Sequence, residues 1–413
     1  MVTIDAKRFE ETFRRYSQIG RTDADGLHRL TLTETDREVR NLFVEDLKSL
    51  NLGIRIDEIG NVFGRKEGTD PEAEPVLIGS HLDSQPYGGR FDGQLGVLSG
   101  LETLRTFEDA GIEHRRPIEI VNWTNEEGSR FKPALMGSGT FIGEFDVTET
   151  LQHTDSNGVT VAEALEQIGY HGNESCEPRE PYDSYLELHI EQGPKLEEAD
   201  LSVGAVKGVF GMAWLELTIH GDADHAGPSP MHSRRDALVA ASDVVSAVRR
   251  LSNRVAADVV TTVGELEISP GSINVVPAEA RLTIDVRSYD DDTVAELVNR
   301  VEREVTAACD REDVTYDLDE IWRIPHTEFS PRVTQTVLDA AETVEADHQA
   351  MVSGAGHDAT YLNETTDAAM IFVPSVDGKT HNEAEYTEWE DAVAGAQTFA
   401  EATKQLASRP DDM

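Results

Sequence analysis

The order of hydrophobic patterns between Trp214 and Trp322 constrains the fold of this chain more than any other feature. Short segments with alternating apolar residues predict strands, and apolar residues at helical spacing predict two long helices. The segments are, in order, WLELTIH, RRDALVAASDVVSAVRRLS, VVTTVGELEIS, ARLTIDVRS, DDTVAELVNRVEREVTAAC and VTYDLDEIW. Strand, helix, strand, strand, helix, strand is the order of a ferredoxin-like unit. We therefore predict a βαββαβ domain in the middle of the chain.

The segments on both sides of this unit have the alternating strands and helices of an α/β domain. Three apolar runs, in PVLIGSHLDS, PIEIVNWTNEEG and SYLELHIEQG, each end in a cluster of polar residues. A chain of 413 residues is longer than a single hydrophobic core usually supports. We therefore predict one α/β domain, formed by residues 1–212 and 326–413, with the ferredoxin-like unit, residues 213–325, inserted into it.

The charge and the apolar content of the chain exclude two classes of partner. A formal net charge of −43 repels nucleic acid phosphates and anionic lipid headgroups over most of the surface. The sequence contains no apolar run long enough to span a membrane, and its N-terminus lacks the apolar core of a secretory signal. We predict a cytoplasmic protein that binds neither nucleic acid nor membranes.

The same charge predicts that the protein is adapted to high salt. Acidic residues number 79, and only 8 of the 36 basic residues are Lys. Salt screens repulsion between carboxylates, with a Debye length of about 3 Å at 1 M. We expect dialysis from molar salt into low-salt buffer to unfold the protein and remove its activity, as followed by circular dichroism and by assay. Fold and activity that persist unchanged in low salt would contradict this halophilic hypothesis.

The two cysteines limit the kind of metal site that the chain can form. Cys176 and Cys309 lie far apart, and neither belongs to a CxxC motif. Neither a disulfide framework nor a thiolate zinc site is therefore indicated. A metal ion would be held by His and carboxylate side chains, which accept Zn, Mn, Co or Ni.

Five polar clusters could form such a site, and three of them directly follow predicted strands. Because ligands of open α/β sheets bind beyond the carboxyl ends of the strands, we expect these side chains to converge. Histidines, carboxylates and one bridging carboxylate would hold a pair of divalent ions. Asp83 could accept the second ring N–H of His81 and so orient that ligand. The clusters are His81 with Asp83, Asp92, Glu126 with Glu127, His189 with Glu191, and His381.

Each cluster also has an interpretation without metal. A HxD pair or a Glu-Glu pair is usually part of a solvated loop, and the glycines around Asp92 suit a turn that opens a helix near Leu95. Glu126 and Glu127 are adjacent and cannot both ligate easily from one strand end. One metal ligand and one general base is the division we expect, and the residues themselves leave open which is which.

The polar motifs taken together resemble a known family. GSHLDS, GGRFDGQLGV, NEEGSRF, ELHIEQGP, HAGPSPMHSRRDA, GSINVVPAEARLTIDVRS, and MIFVPS with the later His381 are similar, in order and spacing, to the hydantoinase/carbamoylase branch of the di-zinc amidohydrolases. That branch includes N-carbamoyl-L-amino-acid hydrolases, allantoate amidohydrolases and β-alanine synthases. The resemblance implies an α/β fold with a di-metal, aminopeptidase-like catalytic domain and an inserted lid or dimerisation domain.

Carried over residue by residue, the resemblance implies a site for two divalent ions, zinc or else Mn, Co or Ni. Glu126 would be the general base that takes a proton from a water between the ions. The family pattern thereby orders the two glutamates. The implied ligands are His81 and His189 for one ion, Glu127 and His381 for the other, and Asp92 as the bridging carboxylate.

The resemblance also implies residues that contact the substrate. In the family, the histidine at the position of His225 reaches an active site across a homodimer and stabilises the oxyanion. Asn274 and Arg287 would hold the substrate carboxylate, for which an Arg fork is well suited. Gln192 and His357 are candidates for further contacts. Without the resemblance, His225 is a loop histidine, Arg287 a charge at a strand end, and His357 the start of a helix.

The implied reaction is hydrolysis of a ureido C–N bond. Allantoate-cleaving relatives often carry an Arg just before the strand of Trp214, where this chain has Met212 and Ala213. We therefore expect N-carbamoyl-L-amino acids as substrates, giving the L-amino acid, CO2 and ammonia.

Hydrolysis of allantoate or another ureido acid is the alternative. An aminoacylase or peptidase is less favoured, and a non-catalytic binding protein least, because the ligand set is complete. Lys379 and Glu383 depart from the family pattern around His381.

Overall fold

A computed structural model describes residues 1–255 and 259–410 of the chain. These residues form two compact units. The first unit contains residues 1–207 and the chain from Phe329 onward, and the second is Gly208–Glu328. The predicted insertion, residues 213–325, lies inside the second unit.

Helices and strands alternate along most of the chain. The strands are β1 (Gly53–Ile56), β2 (Val62–Lys66), β3 (Val76–His81), β4 (Ile118–Trp123), β5 (Ser184–Ile190), β6 (Val203–Val209), β7 (Gly211–His220), β8 (Asp224–His225), β9 (Val260–Ser269), β10 (Val275–Val276), β11 (Glu279–Ser288), β12 (Thr315–Ile324), β13 (Thr327–Glu328), β14 (His348–Ser353) and β15 (Asp367–Val373). The helices are α1 (Ala6–Tyr16), α2 (Glu34–Ser49), α3 (Gln94–Ala110), α4 (Met136–Ile142), α5 (Val147–Gln152), α6 (Val161–Ile168), α7 (Lys195–Ala199), α8 (Ala237–Val255), α9 (Asp291–Glu312), α10 (Pro331–Thr343), α11 (Asp358–Leu362) and α12 (Trp389–Ser408). Short 3-10 turns occur at Met231–Ser233 and Val376–Gly378.

The first unit is built on a mixed sheet in which the strand order runs β1-β2-β4-β3-β5-β15-β6. Strand β3 is parallel to β4 and β5, and β15 is parallel to β5. All residues of β3, β4 and β5 are buried, as expected for parallel strands with both faces covered. Because these strands are parallel, their carboxyl ends meet at one edge of the sheet.

Helices α3 and α12 cover the central strands of this sheet. Helix α3 packs against β3 and β5, and α12 packs against β5 and β15. Gly96 and Gly100 bring α3 close to the sheet, since a Cβ at these positions would lie 2.3 Å from the main-chain oxygen of Leu188 and 2.8 Å from Ile120 Cδ1. Helices α1 and α12 also pack against α3, so it is buried on nearly all sides. In the described residues, no helix has both the length and the apolar character needed to cross a bilayer.

The second unit contains an antiparallel four-stranded sheet with the order β12-β7-β11-β9. Helices α8 and α9 pack on one face of it. Leu215, Leu217 and Ile219 of β7 point into this core, whereas Trp214 is exposed, which is the alternation of a strand with one covered face. The arrangement is the ferredoxin-like one that the element order predicts.

Candidate metal centre

The carboxyl edge of the parallel strands brings two histidines together. His81 is the last residue of β3, and His189 is the last but one of β5. Their ring centroids are 5.9 Å apart, and both side chains are buried. Asp92, two residues before α3, is also buried here. The expected convergence of side chains beyond the strand ends is thus observed for these three residues.

Two groups of ligand-type side chains share the carboxylate of Asp92. In the first cluster (His81, Asp92 and His189), Asp92 Oδ1 lies 3.4 Å from His81 Nε2 and 3.2 Å from His189 Nε2. In the second cluster (Asp92, Glu127 and His381), Asp92 Oδ2 lies 3.6 Å from His381 Nε2, which is 3.7 Å from Glu127 Oε2. The two oxygens of one carboxylate therefore face different clusters, which is the geometry of a bridge.

Main-chain carbonyl groups orient the two buried histidines. His81 Nδ1 donates to the carbonyl of Asp83 at 3.0 Å, and His189 Nδ1 donates to that of Ile190 at 3.0 Å. Because a carbonyl only accepts, the Nδ1 atoms carry protons, and in the neutral rings each Nε2 keeps its lone pair. His189 Nε2 accepts the N–H of Gly93 at 3.2 Å, and His81 Nε2 is buried without a hydrogen-bond partner among the described residues. Both rings are thus in the tautomer that binds a metal ion through Nε2.

The centre contains several buried carboxylates close together. Burial and the Asp92 carboxylate raise the pKa of Glu127 well above its usual range, and the same two causes raise the pKa of Glu385 to about 8. Burying several like charges costs free energy unless cations compensate for them. Imidazole nitrogens and carboxylate oxygens that surround a shared carboxylate fit a pair of divalent cations.

Gly93 leaves the space that the ring of His81 occupies. Its φ is +62°, and a Cβ at this position would lie 2.4 Å from His81 Cε1 and Nε2. Gly93 also immediately precedes α3. The glycine therefore allows both the turn that opens the helix and the close approach of the His81 ring.

The structure corrects the expected role of Asp83. Its carboxylate lies 3.6 Å from His81 Nδ1, and the ring is oriented by the main-chain carbonyl of Asp83 instead. The two carboxylate oxygens accept the N–H groups of Glu126, at 3.3 Å, and Glu127, at 3.4 Å. Asp83 therefore links the turn after β3 to the turn after β4, and its side chain positions the two glutamates.

The two adjacent glutamates face different clusters. Glu126 Oε2 lies 3.4 Å from His81 Nε2, whereas Glu127 Oε2 points toward His381. Burial raises the pKa of Glu126 well above its usual range, and the carboxylate of Glu127 adds to this effect against the opposing effect of His81. A carboxylate with a raised pKa beside these clusters is suited to accept and return a proton.

Glu385 joins the two loops that carry Asp92 and His381, and it is absent from the residues that the sequence singles out. Its Oε1 accepts the N–H groups of Phe91, at 3.0 Å, and Asp92, at 3.1 Å. Its Oε2 accepts the hydroxyl of Thr380 at 3.2 Å. Because Glu385 and Asp92 are 293 residues apart, no local pattern reveals the contact.

Gln192 lies on the side of Asp92 that faces the second cluster. Its Nε2 donates to Asp92 Oδ2 at 2.8 Å and to the hydroxyl of Thr380 at 3.1 Å. It is also 3.4 Å from His381 Nε2. The contact with substrate that the sequence predicts for Gln192 stays a prediction.

His357 lies behind the first cluster. Its ring is buried and T-shaped to that of His189, with centroids 4.7 Å apart, and its Nε2 is 3.1 Å from Ser353 Oγ. Burial lowers the pKa of His357 well below its usual value, so the ring is neutral near pH 7. Its predicted contact with substrate stays a prediction.

Glu191 belongs to neither cluster, although it follows His189 closely in the sequence. Its carboxylate accepts the N–H groups of Lys195, at 2.9 Å, and Leu196, at 2.8 Å. These amides belong to the first turn of α7, whose N–H groups have no partners within the helix. Glu191 therefore caps a helix.

The second unit carries the other three predicted substrate residues. His225 of β8 pairs with Val275 of β10, so Asn274 lies close to His225. His225 Nδ1 accepts the N–H of Gly227 at 3.0 Å, and a neutral His225 therefore carries its proton on Nε2. Arg287 Nη2 donates to Asp285 Oδ2 at 2.6 Å. Their predicted roles toward a substrate stay predictions.

Arg234 holds the turn that follows His225, a contact that the sequence does not reveal. Its Nη2 donates to the carbonyls of Ala226, at 2.6 Å, and Ser229, at 3.1 Å. A charged residue at the start of a helix looks the same in a sequence whether it points to solvent or to main-chain carbonyls. The adjacent Arg235 pairs on the surface with Asp313.

Comparison with known proteins places these clusters in a family context. The sequence profile of peptidase family M20/M25/M40 matches residues 77–405, a range that contains every member of both clusters. An N-carbamoyl-L-amino-acid amidohydrolase of Rhizobium meliloti is 39% identical over 404 residues, covering 98% of this chain and 97% of the relative. An allantoate amidohydrolase of Escherichia coli is 33% identical over 412 residues, covering 98% and 99%.

A solved structure with the same fold is also similar in sequence. The crystal structure of an amidase of the hydantoinase/carbamoylase family from Burkholderia multivorans superimposes with a TM-score of 0.95 at 42% identity. The match covers 99% of each chain. The similarity therefore extends over both units.

Proposed function

The chain belongs to peptidase family M20/M25/M40, and from this premise we infer that it hydrolyses the ureido C–N bond of N-carbamoyl-L-amino acids. The products are the L-amino acid, CO2 and ammonia. Relatives named N-carbamoyl-L-amino-acid amidohydrolase are 34% to 39% identical over almost the whole chain. The protein is accordingly a hydrolase that acts on non-peptide C–N bonds.

One observation of the structure carries the proposal. Two clusters of His and carboxylate side chains share Asp92 through its two different oxygens, and Glu126 lies beside the first of them. We propose that the clusters hold two divalent ions, of zinc or else Mn, Co or Ni. When bound, two such ions polarise the ureido carbonyl group and a water molecule.

The proton transfers are assigned to Glu126. Its carboxylate takes a proton from the attacking water, whose oxygen forms the new bond to the ureido carbon. The bond from this carbon to the amino acid nitrogen then breaks, and Glu126 returns the proton to that nitrogen. Carbamic acid leaves and decomposes to CO2 and ammonia.

Three residues of the second unit are assigned roles in substrate binding and catalysis. His225 donates from Nε2 to the oxyanion. Its Nδ1 accepts the N–H of Gly227, so the proton of the neutral ring is on Nε2, the nitrogen that this role requires. Asn274 and Arg287 hold the substrate carboxylate. We propose a homodimer in which His225 of one copy acts at the metal centre of the other. We also propose that Gln192 and His357 contribute to substrate binding.

A panel of substrates tests the specificity. Met212 and Ala213 provide no cation to bind the second ureido group of allantoate. The apolar side chain of a carbamoyl amino acid such as N-carbamoyl-L-methionine needs no cation. We expect kcat/KM for N-carbamoyl-L-methionine to exceed that for allantoate by about 10-fold or more, the scale of discrimination by pocket contacts. Methionine or ammonia release is measured at molar salt with Mn or Zn, and N-carbamoyl-D-methionine and N-acetyl-L-methionine serve as controls.

Two results would contradict this assignment. Equal or faster turnover of allantoate would favour an allantoate amidohydrolase. Faster release of methionine from N-acetyl-L-methionine than from the carbamoyl compound would favour an aminoacylase.

A further inference from the structure

Gln85 holds the carboxylate of Glu127 at both oxygens. The main-chain N–H of Gln85 donates to Glu127 Oε1 at 2.9 Å, and its side-chain Nε2 donates to Glu127 Oε2 at 2.7 Å. Nε2 also donates to the main-chain carbonyl of Glu127 at 3.2 Å. Glu127 Oε2 is the oxygen that faces His381 in the second cluster. One residue therefore determines where this oxygen points.

Acceptor groups of Glu127 and a hydroxyl group hold the two ends of the Gln85 amide. Ser129 Oγ donates to Gln85 Oε1 at 2.6 Å. The carboxylate and the main-chain carbonyl of Glu127 can only accept, so they hold Nε2 on the side of Glu127 and leave Oε1 on the side of Ser129, where the hydroxyl donates to it. The series Ser129, Gln85, Glu127 is thus a directed chain of hydrogen bonds that ends at the second cluster.

The two clusters are supported in different ways. His81 and His189 are oriented by main-chain carbonyls, which a substitution at position 85 leaves in place. Glu127 is oriented in part by the side chain of Gln85. A change at this side chain therefore acts on one cluster and spares the other.

We propose that Gln85 is a positioning residue that presents Glu127 to the second of the two ions and sets the affinity for that ion alone. The inference rests on the proposed function, since it needs the clusters to bind metal. Substitutions of groups that orient a metal ligand typically lower metal affinity by about 10-fold to 100-fold. We expect this loss at the second cluster and an unchanged affinity at the first.

The test is a titration of the metal-free, full-length protein with Zn²⁺ at molar salt. Gln85→Met removes the amide and nearly preserves the size of the side chain. Wild type is expected to bind two ions. Gln85→Met is expected to bind one ion with the wild-type affinity and the other ion about 10-fold to 100-fold more weakly. Calorimetry with a competing chelator gives the affinities, and zinc content after gel filtration gives the stoichiometry.

A second variant identifies the ion that is affected. His381→Ala removes a ligand of the second cluster only. In this background, Gln85→Met is expected to leave the affinity for the remaining ion unchanged. Ser129→Ala, which frees the amide but keeps Gln85, is expected to weaken the same ion to a smaller extent.

The outcomes separate this inference from the proposed function. Wild-type protein that binds no zinc would contradict the proposed function itself. Two tightly bound ions in Gln85→Met would overturn the positioning role alone. Equal weakening of both ions, or a further loss in the His381→Ala background, would show a general structural role and would also overturn it.

Discussion

Replacing Glu126 by Gln is expected to lower kcat for N-carbamoyl-L-methionine by about 100-fold to 10,000-fold, the usual contribution of a general acid or base. Gln has the same shape as Glu but cannot accept the proton of the attacking water. Glu126 lies beside the first cluster without belonging to either group of ligands. The variant is therefore expected to retain about two ions per chain, as measured by metal analysis alongside steady-state kinetics.

The matched control for this variant is Glu191→Gln. Glu191 is a buried glutamate near the same edge of the sheet, but its carboxylate caps α7. The single oxygen of an amide can keep one of these two N–H contacts, and Glu191 belongs to neither cluster, so turnover of the folded variant is expected to stay close to that of wild type. Full activity in Glu126→Gln would remove Glu126 from the role of base, and loss of metal in that variant would make it a ligand instead.

Replacing Asp92 by Asn is expected to remove both ions and abolish turnover. Asp92 is the one residue common to the two clusters, and each of its oxygens faces a different one. An Asn side chain carries no charge and has only one oxygen, so it can present an oxygen to only one of the two clusters. We expect metal content to fall from two ions to less than one per chain and kcat to fall by more than about 1,000-fold.

His381→Ala provides the comparison for Asp92→Asn. It removes a ligand of the second cluster only, so one ion is expected to remain. Metal content of the two variants, measured after the same dialysis, tests the bridging geometry directly. Two ions retained in Asp92→Asn would show that the carboxylate is not a bridge.

Several features of this protein are determined by local sequence patterns. The change from helical to alternating spacing between Trp214 and Trp322 predicts the ferredoxin-like unit, because amphipathic periodicity is a property of the chain itself. Apolar strands that end in polar residues predict that His81 and His189 converge, because parallel strands end at the same edge. The order of the motifs then indicates the family.

Other features depend on the direction of a single side chain or carbonyl group, and the folded chain is needed to see them. Glu126 and Glu127 are identical in type and adjacent, so the residues themselves do not distinguish them. The family resemblance implies an order, and the folded turn places Glu126 beside His81 and points Glu127 toward His381. Asp83 orients His81 through its carbonyl, a group that every residue has. Hydrophobic periodicity and residue type contain no information on either point.

Contacts between distant segments are a second kind of feature that the sequence does not reveal. Gln85 reaches Glu127 across 42 residues, and Glu385 reaches Asp92 across 293. Such contacts have no periodicity, because each pair is brought together by the packing of the whole sheet and its loops. Residue types and hydrophobic periodicity predict the candidate ligands and the strands that carry them. The tertiary structure decided which oxygen faces which cluster, because a hydrogen bond depends on direction and distance in space and not on position along the chain.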